Sequence, residues 1–234
     1  MAEKLSHTLE TKSLAGVLIL AGGLSTRMGS PKALLKLPSG ETLLDYHGRS
    51  AAKLGVPILI ADNGQGFATQ IETAGCSISY IQDYQPQSSN LEADSKHSAG
   101  PLGAIVAGMQ RLLAGNESKW LLVVSCDSLV NSFDVWQYLT EKKLQSLSNS
   151  VKAVNENNAR PKMYCLADNE RDYPLLALYQ LQLAEPLKAY LDSGERRVMS
   201  FINPISQSVP MSQDWHRLSN LNTPEQFQAA CQQL

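Results

Sequence analysis

Gly22, Gly23, Arg27 and Lys32 stand in the stretch LILAGGLSTRMGSPK, residues 18–32. An apolar run there gives way to two glycines, then to a guanidinium and an ammonium with no acid between them. These residue types in this order suit a phosphate. Glycines let a ligand lie against the backbone and meet amide N–H groups directly. Arg27 offers a planar donor fork that matches phosphate oxygens, and Lys32 a compact point charge. Neither standard phosphate cradle is present. A P-loop needs G-x-x-x-x-G-K-[ST], whereas five residues separate Gly23 from Gly29 and Ser30 follows. The dinucleotide fingerprint G-x-G-x-x-G fails because Gly22 and Gly23 are adjacent. The plainer alternative is a glycine turn carrying solvated basic residues.

Asp127, in VVSCDSLV, follows a second apolar run. A lone carboxylate at a strand end suits Mg²⁺, which keeps several waters and takes one or two protein oxygens plus substrate phosphates. The alternative is an Asp in an ordinary turn before a helix, with Ser132 as that helix's cap. Asp83 is a weaker case of the same kind, after a third run.

These residues need a scaffold that brings strand ends together. Residues 15–21, 56–61, 76–81 and 120–126 read as strands, the first and last buried on both faces. Helical patterns lie between them: TLLDYHGRSAAKLG, the shorter QIETAG, and a segment opening at Pro101 whose inward face is Leu102, Ile105, Val106, Met109, Leu112 and Leu113. Pro at the first helical position and Gly115 beyond the end are the expected start and stop signals. A helix after Ser132 carries Phe133, Trp136, Leu139 and Leu147. Residues 150–180 read as strands around the polar turn ADNERDYP, and LAEPLKAYLDSG as a helix. In TPEQF, Thr223 caps, Pro224 takes the first position and Gln226 completes a capping box, with Phe227, Ala230, Cys231 and Leu234 facing inward. Strand–helix alternation of this kind predicts an α/β fold with a mostly parallel sheet and helices on both faces. Open sheets of that type bind ligands at the carboxyl edge, where Gly22, Gly23 and Asp127 fall.

The chain has 234 residues, 43% hydrophobic and 18% charged, enough to bury a sizeable core. Residues 1–13 read as a disordered polar tail and 14–234 as a single domain. The stretch 85–98 reads as a long loop. A formal net charge of −2 argues against general affinity for nucleic acid or an anionic membrane, so a phosphate must be held by local charge. Four scattered cysteines without C-x-x-C argue against zinc or a disulfide framework. A cytoplasmic location is the expectation.

LAGGLSTRMGSPKALL, GPLGAIVAGM, CDSLV, NERDYPLLALY, EPLKAYLDSGERRVMSF and NLNTPEQF together resemble the molybdenum cofactor guanylyltransferases, over roughly residues 15–230. The resemblance implies a three-layer Rossmann-like nucleotidyltransferase fold. The implied activity joins GMP from GTP to the phosphate of molybdopterin, with or without molybdenum, and releases pyrophosphate. It places nucleotide contacts on Leu20, Ala21, Gly22, Gly23, Lys32 and Asp83. Asp127 matches the Mg²⁺ ligand, and Arg197, Asn220 and Asn222 match residues associated with the pterin side or with catalysis. Arg27, Lys32 and Asp127 are then the catalytic set. The implied partners are GTP and the molybdenum cofactor, with molybdoenzymes or their chaperones as further candidates. Three departures stand out. GSPK is a short spacing more like related cytidylyltransferases, leaving a cytidylyltransferase as the alternative. Ala61 stands where the family has an Asn, with Asp62 or Asn63 as substitutes. Tyr173 replaces a His before Pro174. A non-catalytic nucleotide-binding or molybdoenzyme-binding domain is the alternative from another class.

Overall fold

The computed structural model describes residues 13–23, 29–71, 75–86, 99–152 and 160–233. Seven strands form one sheet: β1 (Leu14–Leu20), β2 (Ile58–Ala61), β3 (Ile78–Ile81), β4 (Trp120–Ser125), β5 (Met163–Ala167), β6 (Asp172–Gln180) and β7 (Ser206–Pro210). Their order across it is β3-β2-β1-β4-β6-β5-β7. Pairings among β1, β2, β3 and β4 are parallel, β6 runs antiparallel to both β4 and β5, and β7 lies parallel to β5. The α/β expectation therefore holds, and the layering is Rossmann-like.

Alternation along β1 explains the three layers. Val17 and Ile19 face one core with Leu44 and Ala51 of α1 (Leu43–Ala52) and Trp136 and Leu139 of α3 (Ser132–Lys152). Leu18 faces the other with Ile105 and Met109 of α2 (Pro101–Leu112) and Leu187 and Leu191 of α4 (Ala184–Asp192). β1 and β4 are buried on both faces, as their unbroken apolar runs require. The connections through α1 and α2 leave the sheet on opposite faces, so the strand order reverses between β1 and β4. That is the switch point at which open sheets form a crevice.

The capping box on α6 (Pro224–Cys231) is present as expected, and Phe227 and Ala230 are buried. The cap of α3 needs correction. Asn131 Oδ1 accepts from Asp134 N at 3.0 Å, whereas Ser132 Oγ donates to the His47 carbonyl at 3.1 Å. Gln70 and Ile71, at the start of the expected QIETAG helix, are not helical. The Gln70 amide donates instead to Asp45 Oδ1 at 2.8 Å. Two elements were not anticipated: α5 (Val198–Ile202) and β7. Arg27, Leu234, residues 1–12, the Leu147 side chain and the 87–98 part of the expected loop lie outside the described residues. Among the described residues, no helix is long and apolar enough to cross a membrane.

Candidate active site

One row of the sheet generates the site. Leu20 is in register with Ala61 and with Ser125, and Ala61 with Ile81. These four residues are the last of their strands. Two positions past each stand Gly22, Asn63, Asp127 and Asp83, side by side along the carboxyl edge. All four line a pocket of about 350 Å³. Its floor is the strand ends Leu20, Ala61 and Ser125, and one wall is the start of α2, Gly100, Pro101 and Ala104. Leu175 of β6 closes a side, and Gly23 completes the glycine turn. The first strand's ending in Gly-Gly therefore opens one face of the crevice, as expected from the residue types.

Gly22 has a steric reason to be glycine. A Cβ there would lie 2.6 Å from Asn63 Cγ. Asn63 adopts φ +54°, a left-handed conformation that Asn tolerates better than most residues. Its Nδ2 donates to the Gly22 carbonyl at 2.6 Å. Of the two substitutes considered for the missing amide at Ala61, Asn63 faces the pocket. Asp62 is buried and committed to the turn, accepting from Gly64 N at 3.0 Å and Phe67 N at 3.1 Å.

Asp83 carries an uncompensated group. Its Oδ1 is buried with no hydrogen-bond partner among the described residues. Burial, reinforced by the nearby Asp62 carboxylate, raises its pKa above the usual carboxylate range. Asp83 also lines the pocket, so its carboxylate is an acceptor beside whatever the pocket holds.

Lys32 begins a single 3₁₀ turn, Lys32–Leu34, anchored by buried Ala33. Its ammonium donates to Asn222 Oδ1 at 2.8 Å. Burial pulls its pKa below the ordinary 10.5, and the Asp127 carboxylate opposes part of that shift. Lys32 and Asp127 thus feel each other across the site. The segment bearing Asn220 and Asn222 is bound to the Asp127 turn: Leu221 N donates to the Asp127 carbonyl at 2.6 Å. Asn220, at φ +57°, accepts through its carbonyl from Asn222 Nδ2 at 3.3 Å. Lys32, Asp127, Asn220 and Asn222 therefore form one constellation.

Behind it, α1 braces the turn. His47 is buried, its pKa lowered first by that burial, and its ring Nε2 lies 2.8 Å from the Ser128 carbonyl. A neutral ring carrying its proton on Nε2 donates there. Tyr46 OH donates to the Leu129 carbonyl at 2.9 Å.

The remaining site candidates sit apart. Ala21 is buried, its amide donating to the Ala61 carbonyl at 2.8 Å, so it orders the turn from within. Arg197 is exposed at the start of α5 and does not line the pocket; its carbonyl accepts from Tyr190 OH at 2.9 Å. Tyr173 donates to Asp168 Oδ2 at 2.5 Å within the β5–β6 hairpin. Pro174 is tolerated because the β5–β6 register shifts between Cys165 and Leu166, freeing that backbone from the ladder.

Comparison with known proteins places the chain in a family. A sequence model of the MobA-like NTP transferase domain matches residues 17–209. The molybdenum cofactor guanylyltransferase of Yersinia pestis is 30% identical over 215 residues, covering 91% of this chain and 92% of that protein. The probable molybdenum cofactor guanylyltransferase of Synechococcus elongatus is 28% identical over 219 residues, covering 91% and 95%. Among solved structures, molybdopterin-guanine dinucleotide biosynthesis protein A from Archaeoglobus fulgidus superposes with a TM-score of 0.57 at 17% identity, covering 93% of this chain and 97% of that one. The 2-C-methyl-D-erythritol 4-phosphate cytidylyltransferase of Francisella tularensis gives 0.55 at 14% identity, covering 93% and 98%. At those identities the two structures speak for the fold alone. The domain match spans most of the sheet and every strand end of the pocket, and with it the chain belongs to the MobA-like NTP transferase family of nucleotidyltransferases.

Proposed function

We propose that the protein transfers GMP from GTP to the terminal phosphate of molybdopterin or the molybdenum cofactor and releases pyrophosphate. The names of the relatives supply the substrate class. The observation that carries the chemistry is the half-buried Lys32 ammonium within electrostatic reach of Asp127, whose carboxylate lines a glycine-edged pocket. A phosphate monoester is largely dianionic near neutral pH, so the acceptor needs no general base. The obstacle is repulsion: two unit charges at 4 Å in an effective dielectric of about 20 repel by about 4 kcal/mol. In this reading Lys32 holds the β- and γ-phosphates and neutralises the leaving group, with Arg27 as a second cation. The Gly22–Gly23 turn positions the nucleotide backbone, and Asn220 and Asn222 face the acceptor. This is positioning plus electrostatics.

The Asp127 carboxylate fits Mg²⁺ by its chemistry. It is a hard oxygen donor in the pocket lining. That arrangement suits an ion completed by water and substrate oxygens. Bound there, Mg²⁺ would neutralise charge on the phosphates.

Asp83 bears on the base. An acceptor-only carboxylate suits guanine, whose N1–H and N2–H₂ groups lie together as donors. The short GSPK spacing favours the alternative, a cytidylyltransferase for the same acceptor. Pyrophosphate release with purified molybdopterin and equimolar GTP and CTP separates them. The expected result is turnover with GTP and little with CTP. Turnover with CTP alone would reverse the base assignment, and no release with either would leave a nucleotide-binding domain.

A further inference from the structure

We infer that Gln226, a residue of the C-terminal helix, is a positioning residue for the nucleotide site, acting on Lys32 through Asn222. The inference rests on the proposed role of Lys32. In an ordinary capping box the residue at the third helical position accepts from the cap residue's backbone N–H, and nothing more. Gln226 Oε1 does this with Thr223 N at 3.2 Å. It also accepts from Asn222 N, one residue further out, at the shorter distance of 2.8 Å. That second bond fixes the residue that reaches the site. Asn222 Oδ1 accepts the Lys32 ammonium, and Asn222 Nδ2 donates to Asn220 O. The neighbouring Leu221 N is held by the Asp127 carbonyl.

The segment 220–222 is therefore tied at one end to the Asp127 turn and at the other to Gln226. An amide side chain with both ends in use can present only one face to Lys32. Without the Gln226 tether the Asn222 backbone can rotate, and its carboxamide no longer sets where the ammonium points. Such a displacement in a site built on placement costs rate even though Gln226 touches no reactant.

The two halves of the capping box supply the test. Thr223→Ala removes the bond from Gln226 N to Thr223 Oγ1, 3.3 Å, and leaves the Asn222 tether. Gln226→Ala removes the tether. Both weaken the same helix start and should lower Tm by similar, small amounts. Steady-state pyrophosphate release should show kcat/KM for GTP down about five- to tenfold in Gln226→Ala, with Thr223→Ala within about twofold of the parent. Gln226→Glu, whose carboxylate accepts the same two N–H groups, should restore the rate. In an Asn222→Ala background the Gln226→Ala effect should vanish, because its only route to Lys32 is gone. Equal rate losses in Gln226→Ala and Thr223→Ala would reduce Gln226 to a helix cap and overturn the inference, as would an undiminished Gln226→Ala effect without Asn222. Lys32→Ala, run alongside, separates the two readings. Full activity in Lys32→Ala defeats the nucleotide site itself, whereas an inactive Lys32→Ala with an unaffected Gln226→Ala defeats only the tether.

Discussion

Replacing Lys32 by Met retains the unbranched stem and removes the ammonium. In the free protein that ammonium has Asn222 Oδ1 as acceptor at 2.8 Å, and burial outweighs the Asp127 attraction in setting its pKa below 10.5. The charge is thus a net cost to the fold, one that a bound phosphate would compensate. An ammonium about 4 Å from a phosphate charge gains about 4 kcal/mol at an effective dielectric of about 20. Solvent at the open side screens part of it, leaving about 2–3 kcal/mol, or about 30- to 160-fold in kcat/KM for GTP. KM should rise and kcat fall together, because ground and transition states both carry the triphosphate. Stability should move the other way. Between the folded pKa of Lys32 and 10.5 the unfolded chain binds more protons at this residue than the fold does, so its contribution to stability rises with pH in that window. Thermal melts should therefore show Lys32→Met at or above the parent Tm near pH 7, the difference closing as pH approaches 10.5. A Tm loss of more than about 4 °C at pH 7 would make the ammonium a structural tie. Parental turnover in a pyrophosphate-release assay would remove it from the triphosphate altogether.

Asp127→Asn should abolish divalent-dependent turnover with little loss of Tm, because the tie from this residue to Leu221 runs through its backbone carbonyl; retained turnover would move the metal elsewhere. Gly22→Ala should raise KM for nucleotide several-fold: the new Cβ, 2.6 Å from Asn63 Cγ, must displace that side chain and break its bond to the Gly22 carbonyl, at a cost of about 1 kcal/mol. An unchanged KM would show that the Asn63 contact does not order the turn. Asp83→Asn should weaken GTP binding while raising Tm at pH 7, since the raised pKa means that the folded carboxylate loses stability as pH climbs from 3.8 through its folded value. A Tm that falls at pH 7 would show the carboxylate to be compensated.

Local patterns were legible where a single segment decides its own conformation. The unbroken runs of β1 and β4, Pro101 opening α2 and the Thr223–Gln226 box each depend on neighbours a few positions away. β7 escaped notice because SQSVP is a polar strand ending in proline at the sheet edge, where one side is unpaired and alternation carries little signal. Asn131 rather than Ser132 caps α3 because Ser132 is already the first residue of the helix, its hydroxyl turned to the His47 carbonyl, a partner 85 residues away. Asn63 and Asp62 could not be told apart in the sequence; the fold puts Asn63 in the pocket lining and holds Asp62 in its turn through the Gly64 and Phe67 amides.

The residue order alone determined the fold class, the phosphate-suited glycine turn and the family, because each is written in short spacings that survive without coordinates. Only the tertiary structure aligned Gly22, Asn63, Asp83 and Asp127 in one row, since strand register comes from packing both faces of the sheet at once. It alone brought Lys32 to Asn222 across 190 residues of chain, through a cap at the far end that no local pattern connects to a lysine near the start.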